Sequence, residues 1–102
     1  MSNVAAVRAV VFQEGDVWVA QCLEYDICAQ ANTVNEAKAR LLATIRFEYE
    51  QTLTDSGVPF AGIDRAPRQF EEMWANASQR PAVELQVPNG RAHIDVSMGI
   101  AA

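Results

Sequence analysis

The sequence predicts an α+β domain in which an antiparallel β-sheet carries a long helix on one face, followed by a second helix and a C-terminal β-ribbon. Three observations lead to this prediction. Two runs without Gly or Pro, residues 4–12 and 17–23, are rich in Val and aromatic residues and flank a short turn. Apolar residues then recur at helical spacing over residues 33–53. Apolar and polar residues alternate again on both sides of Asn89-Gly90, a pair typical of tight hairpins.

Length and charge limit the class of protein. A chain of 102 residues, half of them apolar and 21% charged, fits a single globular domain spanning residues 1–102. Thirteen acids against eight bases give a net charge of −5. That sign opposes a phosphate backbone, so direct nucleic-acid binding is not expected, whereas a basic protein partner is compatible with it.

Composition also bears on location. There is no apolar run near the length needed to cross a bilayer, and the N-terminus lacks the charged and apolar regions of a secretory signal. We therefore expect a cytoplasmic protein whose two cysteines, Cys22 and Cys28, are reduced thiols.

The first two predicted strands form a hairpin around Gly15, and both are apolar on both faces. In the second strand, Val17, Val19 and Leu23 point to one face and Trp18, Ala20 and Cys22 to the other. In a sheet with one solvent-exposed face, apolar and polar residues should alternate along each strand. We therefore predict that the long helix covers one face, and that the C-terminal half or a second subunit covers the other.

The long helix is predicted to begin after Thr33, which forms a capping box with Glu36, and to stop at Gly57. Phe47 falls on the opposite side from the apolar stripe and indicates a second contact surface. The stripe itself comprises Val34, Ala37, Leu41, Leu42, Ile45, Tyr49 and Leu53.

The second half continues with a linker over residues 58–66 and a helix that Pro67 can open. The apolar residues of this helix, at i, i+3, i+4 and i+7, are Phe70, Met73, Trp74 and Ala77. The ribbon that follows turns at Asn89-Gly90. Because a two-stranded ribbon is marginal alone, it should add to the first sheet or to a neighbouring chain.

Two segments carry a family resemblance. Residues 18–27, Trp-Val-Ala-Gln-Cys-Leu-Glu-Tyr-Asp-Ile, and residues 33–37, Thr-Val-Asn-Glu-Ala, resemble the HicB-like antitoxin family. The resemblance covers about residues 4–53. It implies a β-β-β-α-β core of about residues 1–56, likened to partial RNase H or double-stranded RNA-binding folds, with an extension of about residues 57–102. It also implies a module that blocks a small basic ribonuclease toxin, HicA.

Complete antitoxins of this family add a helix-turn-helix or ribbon-helix-helix segment that binds operator DNA. Residues 57–102 show neither pattern. The predicted function is therefore that of a non-catalytic protein-interaction module with a protein partner such as a HicA-like toxin. The residues predicted to bind it are Trp18, Glu24, Tyr25 and Asp26. The alternative is a stand-alone, self-associating domain, a homo-oligomer whose predicted interface comprises Phe47, Phe70, Trp74, Ile94 and Val96.

The sequence supports a catalytic or metal-binding function less well than it supports protein binding. Glu24 and Asp26 share a turn, as carboxylates of an RNase H-like, metal-dependent nuclease would, but two-metal chemistry needs three or four such groups. Cys22 and Cys28 flank the same turn and suggest a redox switch, although reduced core thiols are favoured. His93, the single histidine, lies beside Asp95 on a face predicted to be solvated. The sequence therefore predicts no catalytic residue, metal or cofactor.

Overall fold

The structure, a computed structural model, describes residues 2–87 and 92–101. It confirms the α+β class, with one long helix, a short second helix and a C-terminal ribbon. No helix in the described ranges combines the length and the apolar character needed to span a membrane. The elements are β1 (Ser2–Glu14), β2 (Val17–Cys22), β3 (Cys28–Ala31), α1 (Val34–Ser56), α2 (Gln69–Ala75), β4 (Ser78–Gln79), β5 (Val83–Gln86) and β6 (Ala92–Ile100).

The strands form one mixed sheet in the order β3-β2-β1-β6-β4, with β5 also paired to β6. Four pairings are antiparallel, but β1 and β6 run parallel, with Val7 opposite Val96. The sheet is therefore mixed, with one parallel pairing beside the predicted antiparallel hairpins. Side chains alternate with a period of two in both kinds of ladder, so the sequence pattern does not encode strand direction.

The first hairpin is buried on both faces, as predicted. Gly15 turns it with a φ of 62°. Ala9 lies opposite Cys22, and Val11 lies opposite Ala20. Val10 and Val11 are consecutive residues pointing to opposite faces, and both are 0% exposed. We call the face under α1 the helix face and the opposite one the second face.

Local signals set both ends of α1. The Thr33 hydroxyl accepts from the amide of Glu36 at 3.1 Å, and the Glu36 carboxylate accepts from that hydroxyl at 3.2 Å rather than from the Thr33 amide. Gly57 ends the helix in the left-handed region, with a φ of 77°, and its amide donates to the Leu53 carbonyl. The residues that α1 buries are Ala37, Leu41, Ile45 and Tyr49. Leu53 is 39% exposed, so the buried stripe ends before it.

The second face is covered by the C-terminal half, one of the two covers that the sequence predicts. After α1 the chain passes the turn between β2 and β3, where the Asp26 amide donates to the Asp64 carbonyl and the Ala66 amide to the Leu23 carbonyl. This path delivers α2 to the second face. There the ring of Phe70 lies 5.9 Å from that of Phe12.

The C-terminal ribbon joins the first sheet through β6. Leu85 of β5 lies opposite Ile94 of β6 in an antiparallel pair. The predicted turn at Asn89-Gly90 lies outside the described residues. A two-residue turn at these positions would place opposite each other the residues whose numbers sum to 179. Each observed β5–β6 pair has this sum, so the pairing agrees with the predicted turn. The strand β4, only two residues long, was not predicted.

Candidate functional site

The Glu24 side chain is half-buried and hydrogen-bonded to β1. Its Oε1 accepts from the Arg8 amide at 2.6 Å and its Oε2 from Arg8 Nε at 2.7 Å. Both carboxylate oxygens are thus engaged by one residue of β1. Glu24 joins the end of β2 to β1, so its carboxylate is already hydrogen-bonded within this chain.

Arg8 is the centre of an ion network that docks α2 on the second face. Its terminal nitrogens donate to Glu71 of α2 at 3.0 and 2.9 Å, a bidentate pair, and its guanidinium lies 5.8 Å from the Trp74 ring. Arg65 adds a second cation to Glu71 at 2.9 Å. The sequence prediction missed this network, although Arg8 is the one charged residue in the apolar run of residues 4–12.

The network shifts two pKa values in a consistent way. Hydrogen bonding to Glu71, and then to Glu24, raises the pKa of Arg8 above its ordinary value. Hydrogen bonding from Arg8 first, and from Arg65 less strongly, lowers the pKa of Glu71. Both shifts favour the charged forms, so the network is an ion-paired clasp at neutral pH.

The other three residues predicted to bind a partner differ in their surroundings. Trp18 is half-buried and packs against the core on the helix face. The Tyr25 ring stacks on Phe60 with 4.4 Å between centroids. Asp26 is exposed and accepts from Gln21 Nε2 at 3.0 Å. Of the predicted set, Asp26 is exposed, whereas Trp18, Glu24 and Tyr25 are half-buried. Arg8 engages Glu24, the other acid of the hypothetical nuclease pair.

The residues predicted to form an oligomer interface also separate. Ile94 and Val96 are 0% exposed and belong to the core of this chain, so a second chain cannot reach them. Phe70 and Trp74 are half-buried in the contact of α2 with the sheet. Phe47 is 56% exposed, on the side of α1 that faces away from the sheet. Alternation marked β6 as a strand but did not show that its apolar side would lie under α1.

The two cysteines are free and face opposite sides of the sheet. Cys22 lies opposite Ala9, on the helix face. Cys28 lies opposite Gln21, which precedes Cys22 in β2 and therefore points to the second face. Burial raises the pKa of the Cys22 thiol to about 11, so this thiol is neutral and unreactive at neutral pH. Since their side chains point apart, the two residues are not arranged as a disulfide pair.

An acidic groove opens where the β2–β3 turn meets α1. Its volume is about 330 Å³, and it is lined by Asp26, Ile27, Cys28, Thr44, Glu48 and Ile63. Two of these residues are acids and none is a base. Asp26 was among the predicted partner-binding residues. Glu48, from the middle of α1, was not singled out in the sequence, where it looks like an ordinary helix-surface acid.

The groove adjoins an acidic, partly apolar segment that we call the acidic helix end, residues 47–58. Three of the four exposed large hydrophobic residues among those described lie in it: Phe47, Leu53 and Val58. From residue 47 to residue 64 the chain has four acids and no Lys, Arg or His. The last turn of α1 likewise contains no basic residue. Negative charge thus accumulates at the end of a helix whose dipole is already negative there.

A third cluster forms on the second face where β5 and β6 pair. Glu84 lies opposite Asp95, and His93 precedes Asp95 by two positions, so the three side chains share a face. His93 Nε2 is 3.2 Å from Asp95 Oδ1 and 3.9 Å from Glu84 Oε1. The His93 side chain is only 14% exposed, so the prediction of a solvated histidine was wrong. Glu84 was missed, although a two-residue turn at Asn89-Gly90 would have paired it with Asp95.

Comparisons with known protein families, with curated proteins and with solved structures find no match to this chain. Fold and sites therefore define the class by themselves. It is a small α+β domain with an acidic groove at one edge of its sheet and a His-carboxylate cluster near the other.

Proposed function

We propose that the protein is a non-catalytic protein-interaction module that binds a basic protein partner at its acidic groove. The observation that carries this proposal is the groove itself, in which Asp26 and Glu48 lie beside apolar Ile27 and Ile63 with no base. A lysine or arginine of the partner would bring its charge to the acids and lay its stem on the apolar walls.

The acidic helix end supports the same kind of partner. Acids at a helix C-terminus oppose the dipole, and a nearby cation would remove that penalty. The exposed side chains of Phe47 and Val58, 56% and 57% accessible, supply apolar contact area beside the acids. An apolar anchor surrounded by complementary charge is the usual anatomy of a protein interface.

The sequence resemblance supports a particular partner class. The corresponding module of HicB-like antitoxins blocks a small basic ribonuclease toxin, and a toxin of that kind has the charge that the groove requires. We accordingly propose a HicA-like protein as the partner. Two free thiols suit a reducing compartment, and we propose that the encounter takes place in the cytoplasm.

The engaged state of Glu24 supports a non-catalytic role. A carboxylate acting as a metal ligand or general base must have an oxygen available to the metal or the proton. Arg8 occupies both oxygens of Glu24. A Glu24 carboxylate held in this way is less available as a metal ligand or base, which supports the non-catalytic proposal.

The test uses two charge reversals of equal size. In the variant Glu48→Lys/Glu50→Lys the groove becomes neutral and the acidic helix end changes sign, whereas in Glu14→Lys/Asp16→Lys the distant β1–β2 turn changes sign. Binding of a small basic protein encoded in an adjacent reading frame is measured by calorimetry at two salt concentrations. We expect the first variant to bind at least about tenfold more weakly and the second within about twofold of wild type, with affinity falling as salt rises.

Equal losses of affinity in the two variants would show that binding depends on the net charge of the protein and not on the groove. The groove assignment would then fail. Circular dichroism on both variants checks that each is folded. A wild-type chain that binds no such protein at low salt would remove the proposed partner class altogether.

A second candidate function is self-association, and one observation favours it. Phe47 is 56% exposed on the outer side of α1, where a second copy can bury it. Light scattering at increasing concentration, with Phe47→Ser as the comparison, tests this. A wild-type chain that stays monomeric at high concentration argues against it.

A further inference from the structure

We propose that Glu84, His93 and Asp95 form a binding site for a divalent transition-metal ion. One imidazole nitrogen and two carboxylates are ligand types that Zn²⁺ uses. One ligand atom from each residue lies within 4.8 Å of the other two. Neither the groove nor the acidic helix end contributes to this cluster, so the proposal is independent of the proposed function.

The distances already approach those of a coordination sphere. Ligands bound about 2.0–2.2 Å from one ion are roughly 3 Å apart. His93 Nε2 and Asp95 Oδ1 are 3.2 Å apart, which meets this requirement. His93 Nε2 and Glu84 Oε1 are 3.9 Å apart, and the Glu84 side chain is 62% exposed and therefore free to move closer.

The β-ladder holds the three ligands in place. Glu84 and Asp95 are opposite each other in the β5–β6 pair, and His93 is on the same face by strand alternation. A site built on paired strands keeps its geometry better than one built on loops. The low exposure of His93, 14% of its side chain, limits competition from water at this ligand.

The ring nitrogens of His93 are in different surroundings. Nδ1 is buried and has no hydrogen-bond partner among the described residues, whereas Nε2 faces both acids. Nε2 is therefore the ligand atom.

The ligand set also indicates the class of ion. Mg²⁺ and Ca²⁺ prefer all-oxygen sites, whereas an imidazole ligand suits Zn²⁺, Ni²⁺ or Co²⁺. Three protein ligands leave at least one position of the ion for water or another group.

The experiment is a calorimetric titration of the tag-free full chain with ZnCl₂. We expect one Zn²⁺ per chain, with affinity falling more than about 100-fold in His93→Ala and about tenfold in Glu84→Gln. The matched controls are Glu72→Gln, an exposed acid on α2, and Cys28→Ser, which removes the exposed thiol. Both should bind within about twofold of wild type.

A second readout protects the test against a His93 variant that fails to fold. Zn²⁺ should raise the midpoint of thermal unfolding of the wild type and of Glu72→Gln, and should raise that of Glu84→Gln less at the same concentration. Three outcomes would overturn the proposal. They are no heat beyond dilution, binding undiminished in a folded His93→Ala or in Glu84→Gln, and binding lost in Cys28→Ser.

Discussion

The two faces of the sheet are covered in different ways. On the helix face, the 23-residue α1 packs apolar side chains such as Leu41 and Ile45 on strand residues that are almost all aliphatic. On the second face, the seven-residue α2 is held by an ion network that links Arg8 to Glu24 and Glu71. A helix of seven residues is unstable by itself, so its contacts must position it.

The difference indicates that one set of contacts stabilises this small domain and another set fixes the orientation of α2. Apolar burial is strong and non-directional, and it accounts for most of the free energy that holds α1 in place. Partly exposed ion pairs contribute far less, but a bidentate arginine pair accepts only a narrow geometry. We infer that the helix face stabilises the fold, and that the second face sets where α2 lies.

The largest expected effect separates the buried from the exposed part of α1. Leu41 is 0% exposed and Leu53 is 39% exposed, so the pair offers one chemical change in two environments. Leu41→Ala should lower the free energy of unfolding by about 2–5 kcal/mol, because it removes buried methyl groups and leaves a cavity. Leu53→Ala should cost less than about 1 kcal/mol. Urea unfolding measures both, and similar losses would show that α1 is not anchored at Leu41.

The next effect concerns Gly99 of β6, which lies against Trp74 of α2 and against Ala77 just after this helix. A Cβ at Gly99 would lie 2.9 Å from the Cβ of Ala77 and 3.3 Å from the Trp74 ring. Gly99→Val should therefore displace α2 and destabilise the protein by about 1–3 kcal/mol. Trp74 fluorescence in a Trp18→Phe background reports the displacement. Adding Ala77→Gly should restore part of the loss, and no recovery would mean that the Ala77 contact does not govern docking.

The smallest expected effect is a dependence of α2 docking on pH in the acidic range. Because the pKa of Glu71 is lowered in the folded protein, its ion pairs stabilise the fold above the ordinary glutamate pKa of 4.5. That stabilisation is lost as pH falls through the lowered value. Trp74 fluorescence should change in this acidic window while α1 keeps its helical circular dichroism. Glu71→Gln should remove the step, and a step of unchanged size in this variant would place its origin elsewhere.

The parts of the fold that the sequence predicted correctly depend on neighbours in the chain. The N-cap at Thr33 and the stop at Gly57 are set by residues within one helical turn. The hairpin at Gly15 is equally local. Glu84 and Asp95 also lay within reach of prediction, because a turn at Asn89-Gly90 determines which residues of the two strands are opposite.

Other features join residues far apart in sequence. Arg8 and Glu71 are 63 positions apart, and no local pattern relates them. The sequence placed Glu24 in a turn with Asp26, but it gave no sign that the fold brings Arg8 to it. The acidic groove likewise needs Asp26, Glu48 and Ile63 to meet from three segments.

By itself, the sequence determined the two helices and the strands of both hairpins, where α1 begins and ends, and that the first hairpin is apolar on both faces. Those properties follow from backbone preferences and from side-chain periodicity, which act over a few residues. Only the tertiary structure decided that β6 runs parallel to β1, that Ile94 and Val96 lie in the core, and that Arg8 clasps α2. The reason is physical, since chain direction and long-range pairing depend on how complete elements pack, which no short stretch of sequence contains.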